Sequence, residues 1–347
     1  MAFDKRQTNI AKGIAILMLL FRHLFLVENQ QIATIFTVRG IPIERYINDL
    51  SMGCVAIFLF LSGYGLHCSF KSYTSGIKHQ SENARSKNFK FVKKHLVKLC
   101  FPYYVIFLLT FVLDSLFKEN VFAATYGNNI VYFIIDFLGL ADILKTPTIS
   151  GTFWFMSLII FLYCVFILLE KINNYSSELL FLITLLFAIM PVSLYFEDIF
   201  NWCLPFCLGM IFAKYDFFNL LFNRINTKLK IILVLSLFFI TVVVLRFFYL
   251  KNDTSLDAFL ALSIIMISFM IVSKIPILNL ILHELGKLSL IMFLLHPLIY
   301  SLFLQVWNYK ISLITYLILI ILTYVCSKIL QYLFDITGYN RLILKLS

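Results

Sequence analysis

The sequence predicts an all-α, polytopic integral membrane protein with about ten transmembrane helices and both termini in the cytoplasm. Three observations carry that expectation. Hydrophobic residues make up 61% of the 347 residues and charged ones only 14%, where a soluble domain is close to half apolar and about a quarter charged. Apolar runs of about 17 to 23 residues recur along the chain, each long enough to cross a hydrocarbon core of roughly 30 Å as a helix. Ten-residue segments of period-two alternation, the mark of an outer-membrane barrel, do not occur.

In chain order the spans read 10–28, 51–70, 95–117, 153–170, 178–195, 200–215, 229–250, 257–273, 287–305 and 311–334. The start, MAFDKRQTNIAKG followed by apolar residues, has a signal-like charge pattern but no small-residue cleavage site, so it reads as a retained first helix. The 200–215 run is short and contains Pro205. Val131–Leu144 is shorter still and contains Asp136 and Asp142, so it should lie in the interface or dip into the protein rather than cross. With the N-terminus inside, twenty Lys and Arg fall in cytoplasmic segments and six outside, the bias that sets orientation. An eleventh crossing at 131–144 would move Lys214–Lys230 to the wrong side. The polar stretch 71–94 is expected to be a mobile, basic cytoplasmic loop, and residues 1–347 form one membrane domain with no appended soluble domain.

The net charge of +11 reports orientation and contact with anionic headgroups, not nucleic acid. All seven cysteines lie in or beside apolar runs. Cys203 and Cys207 are four apart, but without paired ligands elsewhere they read as packing residues, so neither a disulfide framework nor a metal is expected. The heavy use of Phe, Ile, Leu, Lys and Asn is that of an AT-rich bacterial genome.

Ionisable groups inside apolar runs are functional hypotheses by default. In KGIAILMLLFRHLFL, Lys12 and His23 are eleven residues apart, three helical turns plus about 20°, so they share a face about 16 Å apart. Arg22 lies about 100° round. His23 is either a general base or a satisfied interhelical hydrogen bonder; Lys12 on its own is equally an inside-positive anchor. Lys93, Lys94 and Lys98 either contact a ligand or only signal topology. His296 precedes Pro297, whose missing N–H frees a carbonyl nearby. Trp154 fits an aromatic belt or a substrate contact, and Tyr64 is a further contact. Ser62, Gly63 and Gly65 permit close helix approach. Asp136 or Glu197 could neutralise Arg22.

Five stretches in order resemble the acyltransferase-3 family of membrane acyltransferases acting on sugars and glycans. They are KGIAILMLLFRHLFL, FLFLSGYGLHCSF, FVKKHLVKLCFPYY, GTFWFMSLIIFLY and LGKLSLIMFLLHPLIY. The resemblance implies an acyl-CoA donor, most simply acetyl-CoA, with His23 as base, Lys12 as its cationic partner and Lys93, Lys94 and Lys98 near the donor. Arg22, Tyr64, Trp154 and His296 become acceptor-side candidates. Family members usually carry arginines where this chain has Lys94, His95 and Lys98, and a small or aromatic residue in place of Arg22.

The reading that follows is an O-acyltransferase of the bacterial inner membrane, modifying a cell-surface polysaccharide or its lipid-linked precursor, with the bilayer as its other partner. The alternative is a transporter or flippase of an anionic or lipid-linked substrate, which usually shows paired interrupted helices in two related halves; no such pair is visible. A sensor or structural membrane protein is the third reading. Oligomeric state, acyl group and acceptor sugar are not encoded legibly.

Overall fold

The structure, a computed structural model, describes residues 3–25, 36–38, 40–76, 84–189, 200–224, 228–248, 254–304 and 312–339. Its elements in order are α1 (Lys5–Phe25), a minimal hairpin of β1 (Thr37–Val38) and β2 (Ile41–Pro42), α2 (Ile43–Ser51), α3 (Gly53–Gly76), α4 (Ala84–Phe117), α5 (Val121–Tyr126) and α6 (Ile130–Phe137). Then come α7 (Trp154–Tyr175), α8 (Ser177–Ile189), α9 (Cys203–Lys214), α10 (Phe217–Arg224), α11 (Lys228–Phe248), α12 (Thr254–Met270), α13 (Pro276–Lys287), α14 (Ser289–Ile299) and α15 (Ser312–Ile336).

The chain is an all-α membrane protein. Among the described residues five helical stretches are long and apolar enough to cross a bilayer: Lys5–Phe25, Ile43–Ser75, Arg85–Phe117, Gly151–Tyr175 and Leu313–Ile336. At the span expected at 287–305, α13 and α14 meet at a break at Leu288, and the bent pair counts as a sixth candidate only if the two are taken together. α8, α9, the Ser236–Leu245 part of α11 and α12 are shorter apolar helices at four further expected positions. The polar stretch 71–94 is largely helical: α3 continues to Gly76 and α4 begins at Ala84. Exposed apolar residues recur every third or fourth position along α15 at Leu313, Leu317, Ile321, Val325, Ile329, Tyr332 and Ile336. Such a stripe suits hydrocarbon rather than water.

Packing sorts the chain into two compact units. The first comprises Met1–Gly76, Leu169–Ser289 and Asn308–Tyr324, the second Ile77–Leu168, Leu290–Trp307 and Val325–Ser347.

In the first unit, two helix crossings are set by reciprocal glycines. A methyl group on Gly63 of α3 would strike the Phe206 carbonyl of α9, and one on Gly209 of α9 would strike the Phe60 carbonyl of α3. α1 meets α13 the same way, Gly13 against the Leu282 carbonyl and Gly286 against that of Asn9. Backbones this close exclude any side chain, which is why small residues mark membrane helix contacts. Gly65 has nothing within 4 Å of where its Cβ would lie, so only one glycine of the Ser-Gly-Tyr-Gly run makes the approach.

In the second unit, α6 has eight residues, about 12 Å at 1.5 Å per residue, too short to cross. Ile130, Val131, Tyr132 and Ile134 are exposed while Asp136 is buried, so α6 turns its carboxylate into the protein. Gly139, at φ 73°, turns the chain out of α6. Tyr103, Ile160 and Met156 pack against it, and Tyr103 lies edge-on to Phe153 at 5.2 Å.

Candidate functional site

α1 runs unbroken from Lys5 to Phe25, so the face shared by Lys12 and His23 is continuous. Between them on that face lie Ile16 and Leu19, both buried. The face therefore turns into the protein, and both polar residues are half-buried on it. The Gly13 crossing fixes the helix beside Lys12, and the Tyr316 hydroxyl donates to the Leu17 carbonyl at 2.8 Å.

Arg22 reaches the Asn48 carbonyl with Nη1 at 3.3 Å. Asn48 lies in the last turn of α2, where carbonyls lack partners within the helix, so the guanidinium acts there as a helix cap. The Asp136 carboxylate bonds elsewhere, as described below, and Glu197 lies outside the described residues. The sequence reading missed Asp257, buried on α12; it and Arg22 both act electrostatically on Cys54. An acid opening an apolar run was the signal.

On α4, Lys93 and Lys98 are exposed and Lys94 half-buried. Lys87, Lys90, Lys94 and Lys98 fall within about 80° of arc, whereas Lys93 lies about 100° from Lys94. Lys94 and Lys98 thus belong to one basic stripe and Lys93 does not. The stripe leads to Pro102, inside the helix. Proline has no N–H to donate to the carbonyl four residues back, here that of Lys98. The Tyr339 hydroxyl fills that role at 3.0 Å, its ring stacked on Phe101 at 4.5 Å.

The same device recurs at His296. Pro297 frees the Phe293 carbonyl, and His296 Nδ1 lies 2.5 Å from it. A carbonyl only accepts, so Nδ1 carries the hydrogen, and in the neutral ring Nε2 keeps the lone pair. His296 is buried, and a short π-helical stretch, Tyr300–Leu304, follows. Tyr64 packs edge-on to Phe3 at 5.2 Å and lies 5.8 Å from Phe218.

Trp154 opens α7 on the wall of a cavity of about 340 Å³, shared with Tyr103, Asp136, Asp142, Lys145 and Ser157 among others. Asp136 organises the wall. Its Oδ2 accepts from the Tyr126 hydroxyl and the Ile149 N–H, each at 2.7 Å, and its carbonyl accepts from the Tyr103 hydroxyl at 2.5 Å. Burial pushes the Asp136 carboxyl above its ordinary range, and the Ile149 and Tyr126 bonds offset this only in part.

Two further constellations had no place in the sequence reading. His67 Nδ1 of α3 and Glu170 Oε2 of α7 meet at 2.9 Å, both buried, and the Asn174 amide donates to the other Glu170 oxygen at 3.2 Å. Lys214 Nζ, at the end of α9, donates to the Asn173 carbonyl at 2.5 Å and to Ser177 Oγ at 2.9 Å, tying down the junction of α7 and α8. Their partners lie 103, 41 and 37 residues away, beyond any spacing argument.

Set against known proteins, residues 7–332 match the family model described as an acyltransferase domain, which is nearly the whole chain. No curated protein and no solved structure gives a match.

Proposed function

Since the chain belongs to the acyltransferase-3 family, we propose that this membrane acyltransferase moves an acyl group, most simply acetyl, from cytosolic acyl-CoA to a hydroxyl of a cell-surface polysaccharide or its lipid-linked precursor. On this reading the protein sits in a bacterial inner membrane with ten crossings and both termini in the cytoplasm, as the twenty-to-six charge bias favours.

The observation that carries the proposal is the first helix, unbroken and with the face of Lys12 and His23 turned inward. A neutral His23 accepts the proton of the attacking hydroxyl as its oxygen bonds to the thioester carbonyl carbon. Collapse of the tetrahedral adduct breaks the C–S bond, and the imidazolium returns that proton to the departing thiolate. Lys12, on the same face, supplies the positive charge that such developing oxyanions and donor phosphates require. Lys94 and Lys98, with Lys93 flanking, are the proposed contacts for the phosphates of CoA. A lysine binds phosphate as a point charge, without the fork of an arginine.

The test compares surface glycans by mass spectrometry from a deletion strain carrying the wild-type or the His23→Ala protein. The ester should vanish in the variant while membrane levels of the protein stay equal. An ester that persists sinks the assignment of His23. In the wild type the mass difference identifies the acyl group and the modified polymer identifies the acceptor.

A further inference from the structure

The cavity lined by Trp154 is built from side chains other than the donor lysines and the base, although Tyr103 shares α4 with those lysines. Its chemistry is specific. At about 340 Å³ it falls at the small end of ligand sites, room for one sugar residue with its substituents rather than a chain. The wall combines the rings of Tyr103 and Trp154 with the facing charges of Asp142 and Lys145, 3.5 Å apart with side chains 26% and 41% exposed.

Several wall groups hold the loop itself. Ser157 Oγ donates to the Gly139 carbonyl at 2.7 Å and accepts from the Asp142 N–H at 3.3 Å. Lys145 stands at φ 49°, a left-handed conformation that is costly for a lysine. Such strain persists only where the surroundings impose it, and it clusters at functional sites. The two exposed charges neutralise each other, so the wall favours a neutral, hydrogen-bonding ligand over an ion. Aromatic rings beside carboxylate and ammonium groups suit the mixed apolar and hydroxyl faces of a sugar.

We infer that this cavity is the acceptor subsite, holding a single neutral sugar residue against Trp154 with its hydroxyls bonded to Asp142 and Lys145. The inference rests on the proposed acyl transfer to a glycan, but its binding step is independent of that chemistry. Asp136 is the keystone of the wall and is not itself assigned to the ligand.

The test uses the full-length protein in nanodiscs, titrated calorimetrically with methyl glycosides of glucose, galactose and N-acetylglucosamine. Binding of at least one should weaken about tenfold in Trp154→Ala and in Asp142→Asn, a loss of the size expected for one ring contact or one charged hydrogen bond. In turnover the acceptor KM should rise by a similar factor, with the acyl-CoA KM unchanged. No glycoside binding by the wild type overturns the inference, and so does binding within twofold of wild type in both variants. A raised acyl-CoA KM in both variants also overturns it, moving the cavity to the donor side while leaving acyl transfer intact. Glycoside binding that shows the expected losses, in a protein without acyl transfer, supports the cavity and refutes the proposed reaction instead.

Discussion

Gly63 and Gly65 are two residues apart on one helix, and the structure gives opposite signs to the same substitution at each. Glycine inside a helix costs roughly 0.5–1 kcal/mol relative to alanine, so propensity alone has both Gly→Ala changes stabilising. At Gly65 that is the whole account, because nothing lies within 4 Å of the new methyl. At Gly63 the methyl would sit 2.9 Å from the carbonyl carbon of Phe206 and 3.3 Å from its Cα. Carbon atoms rest about 3.5–4.0 Å apart and the carbonyl oxygen lies closer to the methyl than either carbon, so α3 and α9 must separate by about 1 Å or more. The obstacle is backbone and cannot rotate away. Overpacking of this kind costs about 1–3 kcal/mol, which outweighs the propensity gain. Gly209→Ala forces the same crossing apart, so the double variant should lose less than the two singles together. Thermal melts of detergent-solubilised protein, followed by size-exclusion chromatography with fluorescence detection, should place Gly63→Ala below wild type and Gly65→Ala at or above it. Equal melting temperatures for the two variants would refute the crossing geometry.

Tyr339→Phe should destabilise the protein by about 0.5–1.5 kcal/mol, the net worth of one hydrogen bond at an exposed site. Most of that loss should disappear in a Pro102→Ala background, where the helix supplies its own N–H to Lys98; additive losses in the thermal melts would count against the pairing. Lys94→Ala and Lys98→Ala should each raise the acyl-CoA KM, an effect that shrinks as salt screens the charges, whereas Lys93→Ala should do much less; equal effects from all three would dissolve the stripe. The carboxyl of Asp136 is held above its ordinary range, so its contribution is fully present below the unfolded value of about 3.9 and declines as pH rises through the raised value. Limited proteolysis of the 138–150 loop should therefore quicken over that rise in wild type but not in Asp136→Asn; parallel profiles would exclude Asp136 as the titrating group.

The parts of this protein legible in the sequence are those governed by local rules. Helical periodicity placed Lys12 and His23 on one face, and the chemistry of proline flagged a free carbonyl beside His296. The donor to that carbonyl was within reach too, since His296 and Phe293 are three residues apart. Lys98 shows the limit. Its freed carbonyl follows from Pro102, but Tyr339 lies 241 residues away, and no pattern in the chain announces it. Arg22 shows another. The sequence directs attention to acids because a buried cation calls for an anion, yet the end of a helix supplies carbonyls that serve as well. The 71–94 stretch reads as a loop by polarity alone, although lysines at 87, 90, 94 and 98 keep the spacing of a helix with one charged side.

The length of α4 has a consequence of its own. Its 34 residues measure about 51 Å against a hydrocarbon layer of roughly 30 Å, so α4 is about 20 Å longer than a crossing needs, and its lysines lie in the N-terminal part of that length. On the proposed donor role of Lys94 and Lys98, headgroup phosphates and the phosphates of a soluble thioester are rivals for the same ammonium groups. Donor affinity becomes a property of the leaflet as well as of the polypeptide: a membrane rich in anionic lipid holds those lysines occupied, and a neutral one leaves them to the nucleotide.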